Sequence, residues 1–225
     1  MLDKLAQPSM QHWLGTDWSG HGVMDQLIRA VMHDAASFAF VSGAVFCIGL
    51  AGGLALARIP QHSIRSTLIA GFHVLQALPT LLLALLLAAH SGAGWWSPVL
   101  VILLAVLPSQ ILVAYRMTLT VMEEPFIEAK RSIGLSEQKV FLRHALPAVL
   151  RRYATVVRSR LIEILFLLVA IEFVGLGVDA TVPTLGKLLF DGLTFREAAW
   201  WVWGPASVAI ALLSGMLGYL TLGRR

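Results

Sequence analysis

Two glutamates sit where a carboxyl is expensive. Glu163 and Glu172 fall in an otherwise apolar stretch, 161–178, and an ionisable group there must face protein or a water-filled path. Glu163 is close enough to Arg158 and Arg160 to read as half of an interface ion pair. Glu172 lies deeper and is followed by Gly175 and Gly177. It is the candidate for lining a translocation path; the alternative is a satisfied carboxyl inside a bundle. The remaining chemistry-bearing residues mostly exclude functions. His73 and His90 are about five helical turns apart, too far to share a metal. No His-Glu-x-x-His, no paired intramembrane aspartates and no G-x-x-x-x-G-K-[ST] occur, which argues against a zinc protease, an aspartyl protease and a P-loop ATPase. The single Cys47 excludes an internal disulfide framework and a four-cysteine metal centre. No catalytic residue, bound metal or cofactor is expected of this chain.

The elements that must hold these residues are membrane helices. The chain has 225 residues, 57% hydrophobic and only 13% charged, where soluble domains carry about 25% charge. Stretches free of Asp, Glu, Lys and Arg run over 35–57, 66–89, 91–115 and 198–223, and about 20 helical residues cross a bilayer core. The expectation is an all-α, polytopic helical bundle of about five spans, at 35–57, 66–89, 97–115, 161–178 and 199–222. Placing 58–65, 116–160 and 223–225 on one side collects 13 of the 17 basic residues. The other side keeps Lys4, Arg29, Lys187 and Arg196. Short basic loops face the cytoplasm, so residues 1–34 and 179–198 are expected outside and the C-terminal tail, 223–225, inside. Trp95, Trp96, Trp200, Trp201 and Trp203 then serve as interface anchors at the outer ends. Gly49 with Gly53, and Ser214 with Gly218, are small-residue pairs that admit close helix packing, and Pro79 and Pro108 are expected to bend their spans.

Residues 116–160 are too long for a turn and too patterned for a linker. Pro125 opens a helix, with Glu123 and Glu124 at its positive end. Gly134 stops it in a left-handed conformation, and Ser136 caps a second short helix that ends before Pro147. That helix places Val140, Phe141 and His144 on one side, and Lys139 and Arg143 on another. Such a helix–glycine–helix could read nucleic acid, lie on the bilayer, or dock a cytoplasmic partner. Tethering between spans holds it far from a duplex, so nucleic acid is not an expected partner.

The run EAKRSIGLSEQKVFLRHALP, 128–147, resembles the signature loop of ABC importer permease subunits. Glu128, Ala129, Gly134, Leu146 and Pro147 occupy its matching positions; Lys130 replaces the usual second alanine. His144 fills a position that is often histidine in the dipeptide, oligopeptide and nickel branch. Three further stretches resemble that branch: His12–Asp17 with Gly20, the Phe173–Gly177 run ending in Gly-Leu-Gly, and Pro183–Gly186. His21 and Gly22 depart from its usual Arg and Asp. A glutamate common seven residues before the first glycine of Gly-Leu-Gly is here Leu168, with Glu172 one turn on. The resemblance leads to the expectation that the chain lacks the family's first span, through a real shortening or a start placed too late.

The resemblance implies a type I ABC importer permease in a bacterial inner membrane. It comprises an extracytoplasmic segment (1–34) and a permease domain (35–222) containing the cytoplasmic coupling loop (116–160). It implies a second permease subunit, two cytoplasmic ATPases that carry ATP and magnesium, and an extracytoplasmic solute-binding protein. Glu128, Ala129, Gly134, Val140, Phe141, His144, Leu146 and Pro147 are then the expected ATPase-coupling residues, with Val140, Phe141 and His144 entering a groove on the ATPase. The expected solute is a peptide, with nickel or a metal chelate as the alternative. An ion-coupled secondary transporter and a non-translocating scaffold are the rival classes, although no internal repeat favours the former.

Overall fold

Apolar residues without helix breakers give long helices here. The computed structural model describes residues 4–91, 94, 96–176, 181–195, 197 and 199–222, and among them it is helical with no strand. Trp95, Gly177, Arg196, Arg224 and Arg225 lie outside the described residues. The helices are α1 (Val23–Ala57), α2 (His62–Ala77), α3 (Thr80–Ser91), α4 (Trp96–Met122), α5 (Pro125–Ser132), α6 (Glu137–Val140), α7 (Leu146–Phe173), α8 (Leu185–Thr194) and α9 (Trp200–Leu222). A π-helical turn, Phe141–Ala145, joins α6 to α7.

Three of the five expected spans appear as single apolar helices long enough to cross a membrane: α1, α4 and α9. The 35 residues of α1 reach ~52 Å at 1.5 Å per residue, beyond the ~30 Å of hydrocarbon. Its charged first third, through Asp34, therefore extends past an apolar core that begins at residue 35. The expected span 66–89 is not one helix. The chain breaks at Leu78 and Pro79 and turns by 90° between α2 and α3, because the proline ring removes a backbone donor and disfavours helix at the preceding residue. By contrast, α4 runs unbroken through Pro108. The fourth expected span lies in α7, whose 28 residues are long enough. Its arginines and two glutamates leave it short of the apolarity of the others.

The chain forms two compact units. Unit 1 comprises residues 1–41, 83–102 and 162–225, and unit 2 comprises 42–82 and 103–161. The segments 1–34 and 179–198, expected outside, belong to unit 1, and the loops 58–65 and 116–160, expected inside, belong to unit 2.

In unit 2, α1 packs on α4 through its glycines. A Cβ on Gly53 would come within 2.6 Å of the Tyr115 amide nitrogen, and one on Gly52 within 2.9 Å of Ile111. The expected packing role of the Gly49–Gly53 pair is thus met within the chain. Buried Tyr153 closes the same seam, its hydroxyl donating to the Val45 carbonyl at 3.4 Å. The second pair is looser: a Cβ on Gly218 would find only Ile162, at 4.0 Å.

In unit 1, the N-terminal segment is tied down by Thr16 and Asp17. The Thr16 hydroxyl accepts from the Ala6 amide at 2.8 Å, and its carbonyl accepts from the Trp201 indole at 3.3 Å. The Asp17 carboxylate accepts from the amides of Ser19 and His21 and from the Gln26 side chain. Gly15 and Gly20 turn the chain around it with φ of +69° and +89°. Trp201 is therefore a buried structural hydrogen-bonding residue, whereas Trp96 and Trp200 remain exposed as anchors would.

Candidate functional site

The helix–glycine–helix is present in unit 2. Pro125 is the first residue of α5, and Gly134 follows its end at φ +83°, the left-handed state in which a side chain is strained. A bidentate ion pair braces the corner: Arg131 Nε lies 2.8 Å and its terminal nitrogen 3.3 Å from the two Glu137 oxygens. Glu124, at the α5 N-cap position, pairs with Arg152 of α7. Beneath the corner, Val121, Ile127, Val140, Ala145, Ala148 and Val149 form a buried apolar cluster. Phe141 packs against that cluster and lies under Arg58, whose guanidinium carbon is 4.6 Å from the ring centroid.

Two expectations for this loop are corrected. The second short helix does not end before Pro147. It continues through the π-helical turn into α7, with Pro147 at the second position of α7, where its lost N–H would otherwise serve the preceding turn; the π-helical turn absorbs that mismatch. Ser136 occupies the N-cap position but makes no side-chain cap hydrogen bond. The residues expected on the coupling face differ in their exposure. Val140 has no exposed surface and Phe141, His144, Leu146 and Pro147 are half-buried, whereas Glu128, Ala129 and Gly134 are exposed. Helical spacing identified an apolar side but could not say that the chain's own α4, α5 and α7 cover it. The large apolar residues left exposed are Phe126, Ile133, at 70% of its full surface, and Leu142. Beside them a cavity of about 640 Å³ is lined by Leu54, Arg58, Thr118, Met122, Glu137 and Phe141, among others.

Glu172 is placed in unit 1. It is buried, and neither of its carboxylate oxygens has a hydrogen-bond partner of ordinary geometry. Its polar surroundings are Asp34, the Thr184 side chain and the Gly186 amide. Asp34 is also buried; it accepts from the Leu185 amide at 2.9 Å and faces His33 Nδ1 at 3.0 Å. The first turn of α8 is thus capped twice, by Asp34 and by the Thr184 hydroxyl, which accepts from the Lys187 amide at 3.2 Å. Gly186 lets α8 approach α7: a Cβ there would lie 2.6 Å from the Glu172 Cβ and from the Phe173 amide nitrogen. Glu172 therefore faces α1 and α8 in the interior of its unit. Asp34, hidden among four aspartates of a polar N-terminal stretch, carried no sequence signal for this contact.

Unit 1 also holds a cavity of about 380 Å³, lined by Asp17, Arg29, Lys187 and Asp191 among others. Burial raises the Asp17 carboxyl, but hydrogen bonds from Gln26, Ser19 and His21 outweigh it and leave the group below the ordinary aspartate value. Burial raises Asp191 above that value, with Lys187 opposing. The pocket therefore pairs one firmly ionised carboxylate with one that holds its proton more readily.

A family described as binding-protein-dependent transport system inner membrane component matches residues 49–225. The chain belongs to this family. It is an ABC importer permease component, a multi-pass inner membrane protein. The permease is 27% identical over 215 residues to the inner membrane ABC transporter permease YejE of Escherichia coli (strain K12), covering 95% of this chain and 62% of the relative. It is 28% identical over 190 residues to the glutathione transport system permease GsiD of Escherichia coli O1:K1 / APEC, covering 81% and 60%. It is 26% identical over 222 residues to the dipeptide transport system permease DppC of Alkalihalophilus pseudofirmus, covering 98% and 72%. The chain thus spans about three fifths of the length of the first two relatives. Among solved structures, a chain of the MetNI methionine ABC transporter in an inward-facing conformation is similar with a TM-score of 0.64 and 20% identity, over 88% of this chain and 94% of that one. A chain of an amino acid ABC transporter gives 0.60 at 15% identity, over 88% and 92%. These two establish the likeness of fold.

Proposed function

We propose that this permease subunit forms part of the path by which an importer takes up peptides or peptide-like solutes by alternating access. It pairs with a second permease subunit above two cytoplasmic ATPases and receives solute from an extracytoplasmic binding protein. The peptide reading draws on the glutathione and dipeptide permeases among its relatives. It is supported by the unit 1 pocket, whose carboxylates and basic side chains suit the two charged ends of a short peptide. The N-terminus lies outside and residues 116–160 meet the ATPases.

The observation that carries the coupling role is the braced corner: a rigid helix–glycine–helix whose inner face is filled by the chain's own core and whose outer rim exposes Ile133 and Leu142. ATP-driven closure of the ATPases would press on that rim, and the Arg131–Glu137 pair would pass the movement into α7. Glu128 and Gly134 remain coupling residues as the resemblance implies. Val140 acts from beneath as part of the support. The test is co-purification of the ATPases with Glu128→Ala, Gly134→Val and Leu142→Asp, followed by ATP-dependent uptake in proteoliposomes. We expect each variant to insert and to lose ATPase association or coupled uptake. Normal recruitment and uptake by all three would end the assignment; lost bilayer affinity with recruitment unchanged would point to a surface-lying hairpin.

A further inference from the structure

Outside the coupling loop, one cluster has chemistry that its packing leaves unspent. His33 and Asp34 of α1 meet Glu172 of α7, and one ring nitrogen and one oxygen from each acid lie within 4.8 Å of one another. Asp34 and Glu172 expose 1% and 3% of their surface, and His33 is partly exposed. Two buried carboxylates side by side repel one another unless a proton or a positive charge sits between them. The groups acting on Glu172 are Asp34, Thr184 and the Gly186 amide, none of them basic. Asp34 spends its hydrogen bonds on Leu185 and His33, but each carboxylate oxygen keeps a second lone pair. Neither oxygen of Glu172, nor Nε2 of His33, has a hydrogen-bond partner of ordinary geometry. His33 Nδ1 and the Asp34 oxygen it faces, 3.0 Å apart, already stand at about the separation of two ligands that share one ion.

We propose that His33, Asp34 and Glu172 form a binding site for a borderline divalent cation of the zinc class, clasping α1 to α7 and, through Asp34, to the start of α8. One imidazole and two carboxylates suit Zn²⁺ and its neighbours Co²⁺ and Ni²⁺ better than Mg²⁺, which prefers all-oxygen, largely hydrated sites. Small side-chain rotations bring donors 4.8 Å apart to the roughly 3–4 Å separation of ligands sharing one ion, with the fourth position left to water. A single proton held between the two acids would also reduce their repulsion. It would do nothing for the imidazole nitrogen, whereas a cation engages both kinds of donor. The partial exposure of His33 supplies the entry side.

The full chain, purified in nanodiscs through a histidine-free tag and stripped with chelator, is the material for the test. Equilibrium dialysis against micromolar Zn²⁺, with metal read by mass spectrometry, should show one equivalent retained, and Co²⁺ should give a visible ligand-field band. Glu172→Gln and His33→Gln should each weaken retention about tenfold or more and abolish the band. The exposed His90→Gln should retain both. Zn²⁺ should also raise the thermal midpoint of the wild type and not that of the two site variants. Equal zinc uptake by wild type, Glu172→Gln and His33→Gln would overturn the site. So would a wild type with no zinc-dependent midpoint in which Glu172→Gln is more stable at any zinc level, the outcome a shared proton predicts.

Discussion

At the residue scale, Gly186 and Asp17 show how single atoms set the segments of unit 1 that flank its helices. Gly186 sits where α8 and α7 touch backbone to backbone, so an added methyl has no room to relax. We expect Gly186→Ala to destabilise the purified permease by about 1–3 kcal/mol. Gly43→Ala in the exposed face of α1, where nothing lies within 4 Å, should be neutral or slightly stabilising. Thermal unfolding of both in the same detergent makes the comparison. Asp17 gives a pH prediction. Its folded pKa is lowered, so its contribution is present above the unfolded value near 3.9 and is lost as pH falls through the folded one. The stability advantage of wild type over Asp17→Asn should therefore shrink as pH falls from about 5 toward 3; a constant difference would mean that the carboxylate charge does not hold the turn.

At the element scale, the helix–glycine–helix corner separates support from contact. Val140 has no exposed surface and packs with Val121, Ile127 and Val149. Val140→Ala should cost about 2 kcal/mol of stability through lost burial and a small cavity, with ATPase affinity following only as the corner loosens. Leu142→Asp changes a half-exposed side chain and should leave the unfolding free energy within about 0.5 kcal/mol of wild type while weakening ATPase recruitment. Arg131→Ala removes the brace to Glu137. An exposed pair contributes little stability, so the expected loss is in the efficiency with which hydrolysis drives uptake. The same scale explains the second span. The hydropathy of 66–89 is continuous, but Pro79 imposes a break that the 90° turn between α2 and α3 realises.

At the scale of the whole molecule, the charge asymmetry makes the exposed prediction. Ser136 lies in the basic loop of unit 2 and Thr181 in the segment of unit 1 before α8, and both are exposed. In a Cys47→Ala background, a cysteine at Ser136 should react only with a reagent that reaches the cytoplasmic face, and one at Thr181 only from outside. Labelling of both from one face would overturn the five-span topology. Cys47 itself must be replaced because it is exposed, although its place in an apolar run reads as buried. In a membrane helix, surface that faces lipid rather than protein is apolar too.

Composition and charge by themselves determined that the protein is helical and membrane-embedded, because lipid demands long apolar helices and leaves no other backbone solution for such stretches; the likeness to importer permeases rested on the motif at 128–147. Local rules also reached Gly134, whose positive φ follows from the need to end α5 sharply, and Pro125 at the start of α5. They could not reach facts that depend on which helix covers which. The period of 3.6 puts Val140, Phe141 and His144 on one side, but only the packed neighbours decide that this side is a core. Likewise Glu172 announced itself by its cost, while Asp34 and His33, more than 130 residues away in the chain, became its partners only through tertiary packing. A burial cost is a property of one residue and can be read from its neighbours in sequence. Its compensation is a property of the pair, and tertiary packing alone brought that pair together.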